Sequence, residues 1–253
     1  MKSILLIGQS NMAGRGDFGE VPEICHPRCF MMRNGKWIAM SEPINPDRAI
    51  FNALFHSGVG LSASFAEALA ESEPETRVGL IPCADGGTSL NEWMPGSVLY
   101  DNAVFHVGLA KRSSEVAAIL WHQGEADSND EALARSYLDR LRSFFASLRR
   151  DAGLEGVPVV VGELGEFIAR FSAANGGKCQ HYTIVNEALH AFADTDPLVA
   201  VASSKGLESK PDLIHFCSAA QREFGLRYYR AYRTLVPLSG DPIYFEGGTL
   251  MPQ

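Results

Sequence analysis

The stretch SILLIGQSNMAG, residues 3–14, decides the fold and raises the question of function. It opens with a short, mostly apolar run that stops at Gly8, which is typical of a buried strand. Ser10 follows two positions later. A serine directly after a first strand is a candidate nucleophile at the rim of an α/β domain, although it could also be only a helix N-cap.

Four further apolar runs resemble this first strand, and segments with helical periodicity lie between them. The runs are RVGLIP (77–82), VAAILW (116–121), VPVVVG (157–162) and PLVAVA (197–202). Strands that are apolar throughout are covered by helices on both faces. The alternation therefore predicts a three-layer α/β fold with a five-stranded parallel sheet in the flavodoxin-like order 2-1-3-4-5.

The chain of 253 residues is interpreted as one domain, because no linker, repeat or low-complexity tract divides it. We expect the domain to cover residues 1–240 and residues 241–253 to form a C-terminal tail. Apolar residues make up 46% of the chain, which is enough for a sizeable core.

Charge and composition exclude several partners. A net charge of −8 argues against nucleic acid, and no run approaches the roughly 20 apolar residues that span a bilayer. The first apolar run is too short for a secretory signal, and five cysteines without zinc-site spacing indicate reduced thiols. The sequence thus predicts a cytoplasmic protein without membrane contact, and it leaves the oligomeric state open.

Polar clusters follow four of the five predicted strands. They are GQSNMAG (8–14), CADGGTSLNEW (83–93), WHQGEAD (121–127) and DLIHFC (212–217). The carboxyl ends of parallel strands share one edge of the sheet, so these loops can converge on one site. Capping-box spacing at Ser128-x-x-Glu131 and Ser218-x-x-Gln221 predicts that helices begin after the last two clusters.

The clusters contain what a serine hydrolase needs. A serine hydroxyl becomes a nucleophile when an imidazole accepts its proton and a carboxylate holds that imidazole in one tautomer. Ser10 is the candidate nucleophile and His215 the candidate base, with Asp212 or Glu125 as the carboxylate. Candidate hydrogen-bond donors to an oxyanion are the backbone of Gly86 and Gly87 and the side-chain amide of Gln123. His122 and Glu125 have no third ligand nearby, so we expect no metal and no cofactor.

Three alternative interpretations of the motifs fit the sequence less well. GQSNMA is a damaged GxGxxG/A fingerprint, and the acidic residue expected about 20 positions later is missing, which argues against a nucleotide-binding module. A non-catalytic carbohydrate-binding module is opposed by the presence of both Ser10 and His215. The α/β-hydrolase elbow G-x-S-x-G does not fit either, because Met12 occupies the position of its last glycine.

The blocks GQSNMAGRG, IPCADGGTSLNEW, LWHQGEAD and DLIHFCSAAQREFG resemble, in order, those of the SGNH-hydrolase superfamily. More narrowly, they are similar to carbohydrate esterase family six and the sialate O-acetylesterase-like group, which includes acetylxylan esterases. The resemblance runs from Ser3 to about Tyr232. It implies a serine acetylesterase that removes O-acetyl groups from small acetylated sugars, of the xylo-oligosaccharide or sialic acid type, without a metal.

The resemblance also implies roles for individual residues. Ser10 falls on the nucleophile motif, and Asp212 and His215 fall on the D-x-x-H block. The second-block glycine corresponds to Gly86 or Gly87, and Gln123 stands where the wider superfamily has an asparagine. The oxyanion would then be held by the backbone N–H of Ser10, a glycine N–H and the Gln123 amide. Further candidates for shaping the acyl and sugar pockets are Asn11, Arg15, Glu92 and Trp93.

Overall fold

The structure is a computed structural model that describes residues 1–46 and 56–238. Its strands are β1 (Lys2–Gly8), β2 (Cys29–Arg33), β3 (Lys36–Ala39), β4 (Val78–Pro82), β5 (Glu115–His122), β6 (Val159–Gly162) and β7 (Val199–Ala202). Its helices are α1 (Ser10–Ala13), α2 (Leu61–Ser72), α3 (Val98–Ala110), α4 (Glu131–Arg135), α5 (Tyr137–Ala152), α6 (Ile168–Ala174), α7 (Tyr182–Thr195) and α8 (Ser218–Leu235). Two 3₁₀ turns, Leu90–Trp93 and Asp127–Asn129, lie in the loops after β4 and β5.

The strands form one sheet in the order β3-β2-β4-β1-β5-β6-β7. The five strands expected from the apolar runs are β4, β1, β5, β6 and β7, so they are neighbours in the predicted order 2-1-3-4-5 and are parallel. The prediction of five strands, all parallel, is wrong, because two further strands extend the sheet beyond β4. The sheet is therefore mixed and has seven strands among the described residues.

The two unpredicted strands form an antiparallel hairpin. β2 pairs with β3 across Asn34 and Gly35, whose φ angles are 49° and 73°. Positive φ at both positions is what a two-residue hairpin turn requires, and Asn-Gly is its preferred sequence. The apolar runs of the hairpin are only four residues long, CFMM (29–32) and WIAM (37–40), and most side chains of the edge strand β3 are exposed. A search for longer apolar stretches passes over such a hairpin.

Helices cover both faces of the sheet, as the three-layer prediction requires. α2 and α8 pack against each other on one face, and α3, α5 and α7 pack side by side on the other. This arrangement sends the loops after β1, β4, β5, β6 and β7 to the same rim. No helix among the residues described is both long and apolar enough to cross a membrane.

Both predicted capping boxes are wrong. α4 is capped by Asp130, whose Oδ1 accepts from the Leu133 N–H at 2.9 Å. Ser128 instead donates to the Glu125 carbonyl at 2.8 Å. Ser218 is the first residue of α8 rather than its cap, and its hydroxyl bonds to the loop after α1. The capping-box spacing is present in the sequence, but the hydroxyls of Ser128 and Ser218 bond to loop residues instead of capping a helix. The predicted tail, residues 241–253, lies outside the described residues.

Candidate active site

Ser10 lies at the sharp turn between β1 and α1. Gly8 has a φ of 128°, and a Cβ there would lie 2.1 Å from the carbonyl oxygen of His122, so only glycine fits. The next residue, Gln9, donates its N–H to the same carbonyl at 2.8 Å. The chain then enters α1 at Ser10, which is 6% exposed. The serine is thus held at the carboxyl end of the central strand with its N–H at a helix start, where no intrahelical acceptor exists.

Asp212 and His215 form a hydrogen-bonded pair in the loop before α8. Asp212 Oδ2 lies 2.8 Å from His215 Nδ1, while Oδ1 accepts the backbone N–H groups of Ile214 and His215 at 3.1 and 3.0 Å. Burial alone would raise the pKa of Asp212, but these hydrogen bonds lower it from 3.8 to about 2. The carboxylate is therefore ionised at neutral pH and favours a proton on Nδ1, which leaves Nε2 as the basic nitrogen.

Asn11 joins the first and last clusters of the sequence. Its Nδ2 donates to Glu125 Oε1 at 2.6 Å and to the Ile214 carbonyl at 3.1 Å, and its Oδ1 accepts from the Phe216 N–H at 3.1 Å. Both hydrogens of the amide are used, and the side chain is 1% exposed. These contacts contradict the expectation that Asn11 binds substrate, because the residue instead fixes the Asp212 loop against α1.

Glu125 is buried behind the serine. Its Oε1 accepts from Asn11 and lies 3.4 Å from Nε2 of the fully buried His122. Burial would raise the pKa of Glu125, but His122 and the Asn11 amide together lower it below its ordinary value. Among the described residues no hydrogen bond joins Glu125 to His215, whose carboxylate partner is Asp212. Of the two candidate carboxylates, Asp212 therefore contacts His215, whereas Glu125 contacts Asn11 and His122.

Gln123 directly follows β5, and its side chain is fully buried. Its Nε2 faces three acceptors, Asp127 Oδ2 at 2.7 Å, the Thr88 carbonyl at 3.0 Å and Gln9 Oε1 at 3.3 Å. Its Oε1 accepts from the Tyr137 hydroxyl at 2.9 Å. Asp127 also accepts the Leu90 N–H and pairs with Arg140, so this carboxylate ties the loops after β4 and β5 together. A role for Gln123 as oxyanion donor stays a prediction, and its amide already has these partners.

The Gly86–Gly87 pair approaches the serine from the loop after β4. Gly87 has a φ of 77°. A Cβ on Gly86 would lie 2.4 Å from Arg15 Nη2 and 3.7 Å from Ser10 Cβ. Gly87 therefore needs glycine for its backbone conformation, whereas a side chain at position 86 would only have to displace the end of the flexible Arg15 side chain.

Two residues expected near a sugar are placed elsewhere. Trp93 is completely buried, packs edge-to-face on Trp121 and donates its indole N–H to Thr88, so it belongs to the core and cannot touch a substrate. Glu92 accepts the Ser89 N–H at 2.6 Å in a capping box on the first 3₁₀ turn. Both residues thus stabilise this loop, and neither lines the cleft that contains Ser10.

One cleft of about 230 Å³ brings together five of the candidates, namely Ser10, Arg15, Gly87, Glu125 and His215. Its lining consists of Gln9, Ser10, Arg15, Gly87, Glu125, Ala126, Asn129, Phe171, Lys178, Cys179, Ile214 and His215. Ser10 and His215 thus share a cavity, although no hydrogen bond between them is present among the described residues. Catalytic hydrogen bonds are often long without substrate.

Several lining residues were missed by the sequence analysis. Phe171, Lys178 and Cys179 come from the segment after β6, the one rim loop without a polar cluster to mark it. The signal that could have found them is topological, because every parallel strand ends at this rim. Gln9 was quoted within the first motif but given no role.

Comparisons with known proteins agree with the fold and identify the family. A family model described as carbohydrate esterase, sialic acid-specific acetylesterase, matches residues 1–234. The chain is 31% identical over 246 residues to a probable carbohydrate esterase of Arabidopsis thaliana, covering 90% of this chain and 88% of that protein.

Solved structures give the same result at the level of the fold. The X-ray structure of an Arabidopsis thaliana protein has a TM-score of 0.80 at 28% identity, with 92% of this chain and 98% of that chain covered. NanS has a TM-score of 0.71 at 16% identity, covering 91% and 96% of the two chains. A carbohydrate acetylesterase from Xanthomonas citri has a TM-score of 0.66 at 18% identity, covering 92% of this chain and 56% of that one.

These matches place the protein in the class of the carbohydrate esterases. The chain belongs to the carbohydrate esterase, sialic acid-specific acetylesterase family, and the resemblance inferred from its motifs is confirmed. Membership supports hydrolysis of acetyl esters on carbohydrates.

Proposed function

We propose that this protein is a serine esterase that removes O-acetyl groups from small acetylated sugars through an acetyl-enzyme. The observation that carries the proposal is the common cavity of Ser10 and His215, with His215 hydrogen-bonded to Asp212. This is the set of groups that activates a serine hydroxyl.

In the first half of the reaction Ser10 Oγ attacks the acetyl carbonyl while His215 Nε2 takes the hydroxyl proton. The carbonyl oxygen becomes an oxyanion, which accepts hydrogen bonds from the Ser10 N–H and from a glycine N–H of the Gly86–Gly87 pair. Gly87 is the better placed of the two glycines because it lines the cleft. The intermediate collapses when the sugar oxygen leaves and takes the proton from His215.

In the second half water replaces the sugar. His215 accepts a proton from the water as its oxygen attacks the acetyl-enzyme, and the same hydrogen-bond donors hold the second oxyanion. Acetate leaves, and the proton returns from His215 to Ser10 Oγ. Asp212 stays ionised throughout, and it stabilises the imidazolium that forms in each half.

The substrate proposal is limited to a small acetylated carbohydrate. Cavities for drug-sized ligands have about 300–1,000 Å³, so a cleft of about 230 Å³ suits an acetyl group and part of one sugar. The description of the matching family favours sialic acid as the sugar. Acetylated xylo-oligosaccharides are the second candidate, kept because the motifs resemble acetylxylan esterases.

The test is release of acetate from O-acetylated sialic acid and from acetylated xylo-oligosaccharides, with p-nitrophenyl acetate as a generic ester. We expect Ser10→Ala to abolish turnover while the thermal unfolding curve stays unchanged, and an organophosphonate to label Ser10 in the wild type. EDTA should leave turnover unchanged, because no step is assigned to a metal. Wild-type turnover in Ser10→Ala would refute the mechanism. Sugar binding without acetate release would favour the non-catalytic module instead.

A further inference from the structure

Helix α3 is apolar on the side that faces solvent as well as on the side that faces the core. The residues buried in the core are Leu99, Tyr100, Ala103, Val107 and Ala110. On the opposite side Val98 is 59% exposed, Phe105 is 62% exposed and Leu109 is half-buried. A helix that is apolar all round usually has both sides covered by protein. Within the described part of the chain, the outer side of α3 is left uncovered.

The exposed residues of this side form one stripe. They are Val98, Asp101, Phe105 and Gly108, with Arg112 in the turn that follows the helix, and all five are exposed. Successive members are alternately three and four residues apart, which is the spacing of the seam through which helices pair. We call these five residues the outer stripe of α3. Its spacing favours another helix as the group that covers it.

The two charged residues of the outer stripe indicate which helix this is. Asp101 and Arg112 have no ion-pair partner among the residues that the structure describes. They are eleven positions apart, which is about 16 Å along a helix, so they cannot pair within one chain. In an antiparallel pair of identical helices, Asp101 of each copy comes next to Arg112 of the other. The outer stripe is therefore complementary in charge to a second copy of itself.

The apolar centre of the outer stripe is complementary in shape as well. The midpoint between Phe105 and Gly108 coincides with the midpoint between the two charged residues. The two-fold axis that pairs the charges therefore also places each Phe105 ring over Gly108 of the other copy. Nothing lies within 4 Å of a Cβ at Gly108, so the helix surface there is open to the ring.

We propose that the outer stripe of α3 is a dimer interface, through which two copies of this chain pair by an antiparallel, two-fold contact between their α3 helices. The contact buries both Phe105 rings and joins Asp101 to Arg112 twice, once on each side of the axis. None of these residues lines the cleft that contains Ser10, so the proposal concerns assembly and is independent of the esterase mechanism.

The contact is small, which sets its strength. Helix α3 has 13 residues and is about 20 Å long, so one helix pair buries less than the about 1,600 Å² of a standard protein interface. We therefore expect a weak, reversible dimer with a dissociation constant in the micromolar range.

Sedimentation velocity of the full chain over about 1–200 µM measures this equilibrium. We expect the wild type to shift from one chain to two as the concentration rises. Phe105→Glu places a charge at the centre of the contact and should stay monomeric, with an unchanged far-UV circular dichroism spectrum because this side chain is exposed. Phe18→Glu is the matched control, since Phe18 is 59% exposed on the loop after α1, and it should dimerise like the wild type.

Exchange of the charged residues tests the orientation of the two helices. Asp101→Arg and Arg112→Asp each place like charges opposite each other twice, so we expect each to raise the dissociation constant by about 3–10-fold at low salt. The double variant restores opposite charges at both places, and its dissociation constant should return to near the wild-type value.

Three results would overturn the proposal. The first is a wild type that stays monomeric at about 200 µM. The second is a dimer that persists in Phe105→Glu, since the chains then pair elsewhere, for example along the edge strand β3. The third is a double charge variant that dimerises no more tightly than the single variants, because the helices are then not antiparallel in this register.

Discussion

The hydrogen bond between Asp212 and His215 allows a prediction about the effect of a single substitution on kcat. Asp212→Asn keeps the shape of the side chain but favours the wrong imidazole tautomer, a change that costs about 10⁴ in kcat in the serine-protease example. We expect a loss approaching that size, measured as kcat on p-nitrophenyl acetate. Glu125→Gln should cost less, because Glu125 bonds to Asn11 rather than to His215. A larger loss in Glu125→Gln at unchanged stability would make the glutamate the acid.

The same carboxylate predicts a pH dependence of stability. The pKa of Asp212 falls from 3.8 to about 2 on folding, so the folded state favours the ionised form. This contribution is complete above about pH 4 and is lost as the pH falls toward 2. The side chain is 42% exposed, so solvent screening keeps the contribution to about 1 kcal/mol or less.

Urea unfolding of the wild type and Asp212→Asn at pH 6 and pH 2.5 measures this effect. The wild type should be the more stable at pH 6, and the difference should shrink at pH 2.5. A difference that grows at the lower pH would contradict the assignment of the hydrogen bonds.

At the scale of elements, the contact between α2 and α8 depends on Gly225. A Cβ at this position would lie 2.0 Å from the Leu61 carbonyl oxygen and 2.2 Å from Ser64 Oγ. Gly225→Ala must push the two helices apart, so we expect a loss of about 1–3 kcal/mol in the free energy of unfolding.

Gly108 in α3 is the matched control, because nothing lies within 4 Å of a Cβ there. Gly108→Ala should gain about 0.5–1 kcal/mol from the ordinary helix preference for alanine. Urea denaturation measures both variants, and a stabilising Gly225→Ala would show that the helices pack less closely than described.

The elements also show which parts of the fold are readable from sequence. Continuous apolar runs identified β4, β1, β5, β6 and β7, because helices cover both faces of these strands and leave little room for polar side chains. The β2–β3 hairpin has an exposed edge strand and apolar runs of only four residues, yet its Asn34-Gly35 turn was a usable signal.

The site was predictable to a similar degree. The polar clusters after the strands were expected to converge, and the structure places Ser10 and His215 in one cleft with Asp212 hydrogen-bonded to His215. The direction of a buried amide or indole was not predictable, since it depends on partners far away in the sequence. Asn11 bonds to Phe216 in the loop before α8, and Trp93 packs on Trp121 of β5.

At the scale of the whole molecule, the cleft combines residues from the rim loops and α6. Phe171 and Ile214 are among its apolar lining, and the whole cleft has about 230 Å³. We expect kcat/KM for p-nitrophenyl esters to fall from acetate through butyrate to octanoate, because longer acyl chains exceed this space. Strong activity on octanoate would contradict the proposed acetyl preference. Phe171→Ala, compared with the wild type, should relax the preference if this ring limits the acyl chain.

The hydrogen bond from Asn11 to the Ile214 carbonyl spans 203 positions of the sequence. During translation at about 5–20 residues per second, the segment with the proposed nucleophile therefore emerges about 10–40 s before the segment with the proposed base. Until α8 docks, Asn11 lacks two of its three partners and the serine has no imidazole. If the proposed mechanism holds, a nascent chain that stops short of this last helix cannot hydrolyse esters, and activity begins only once the helix has docked.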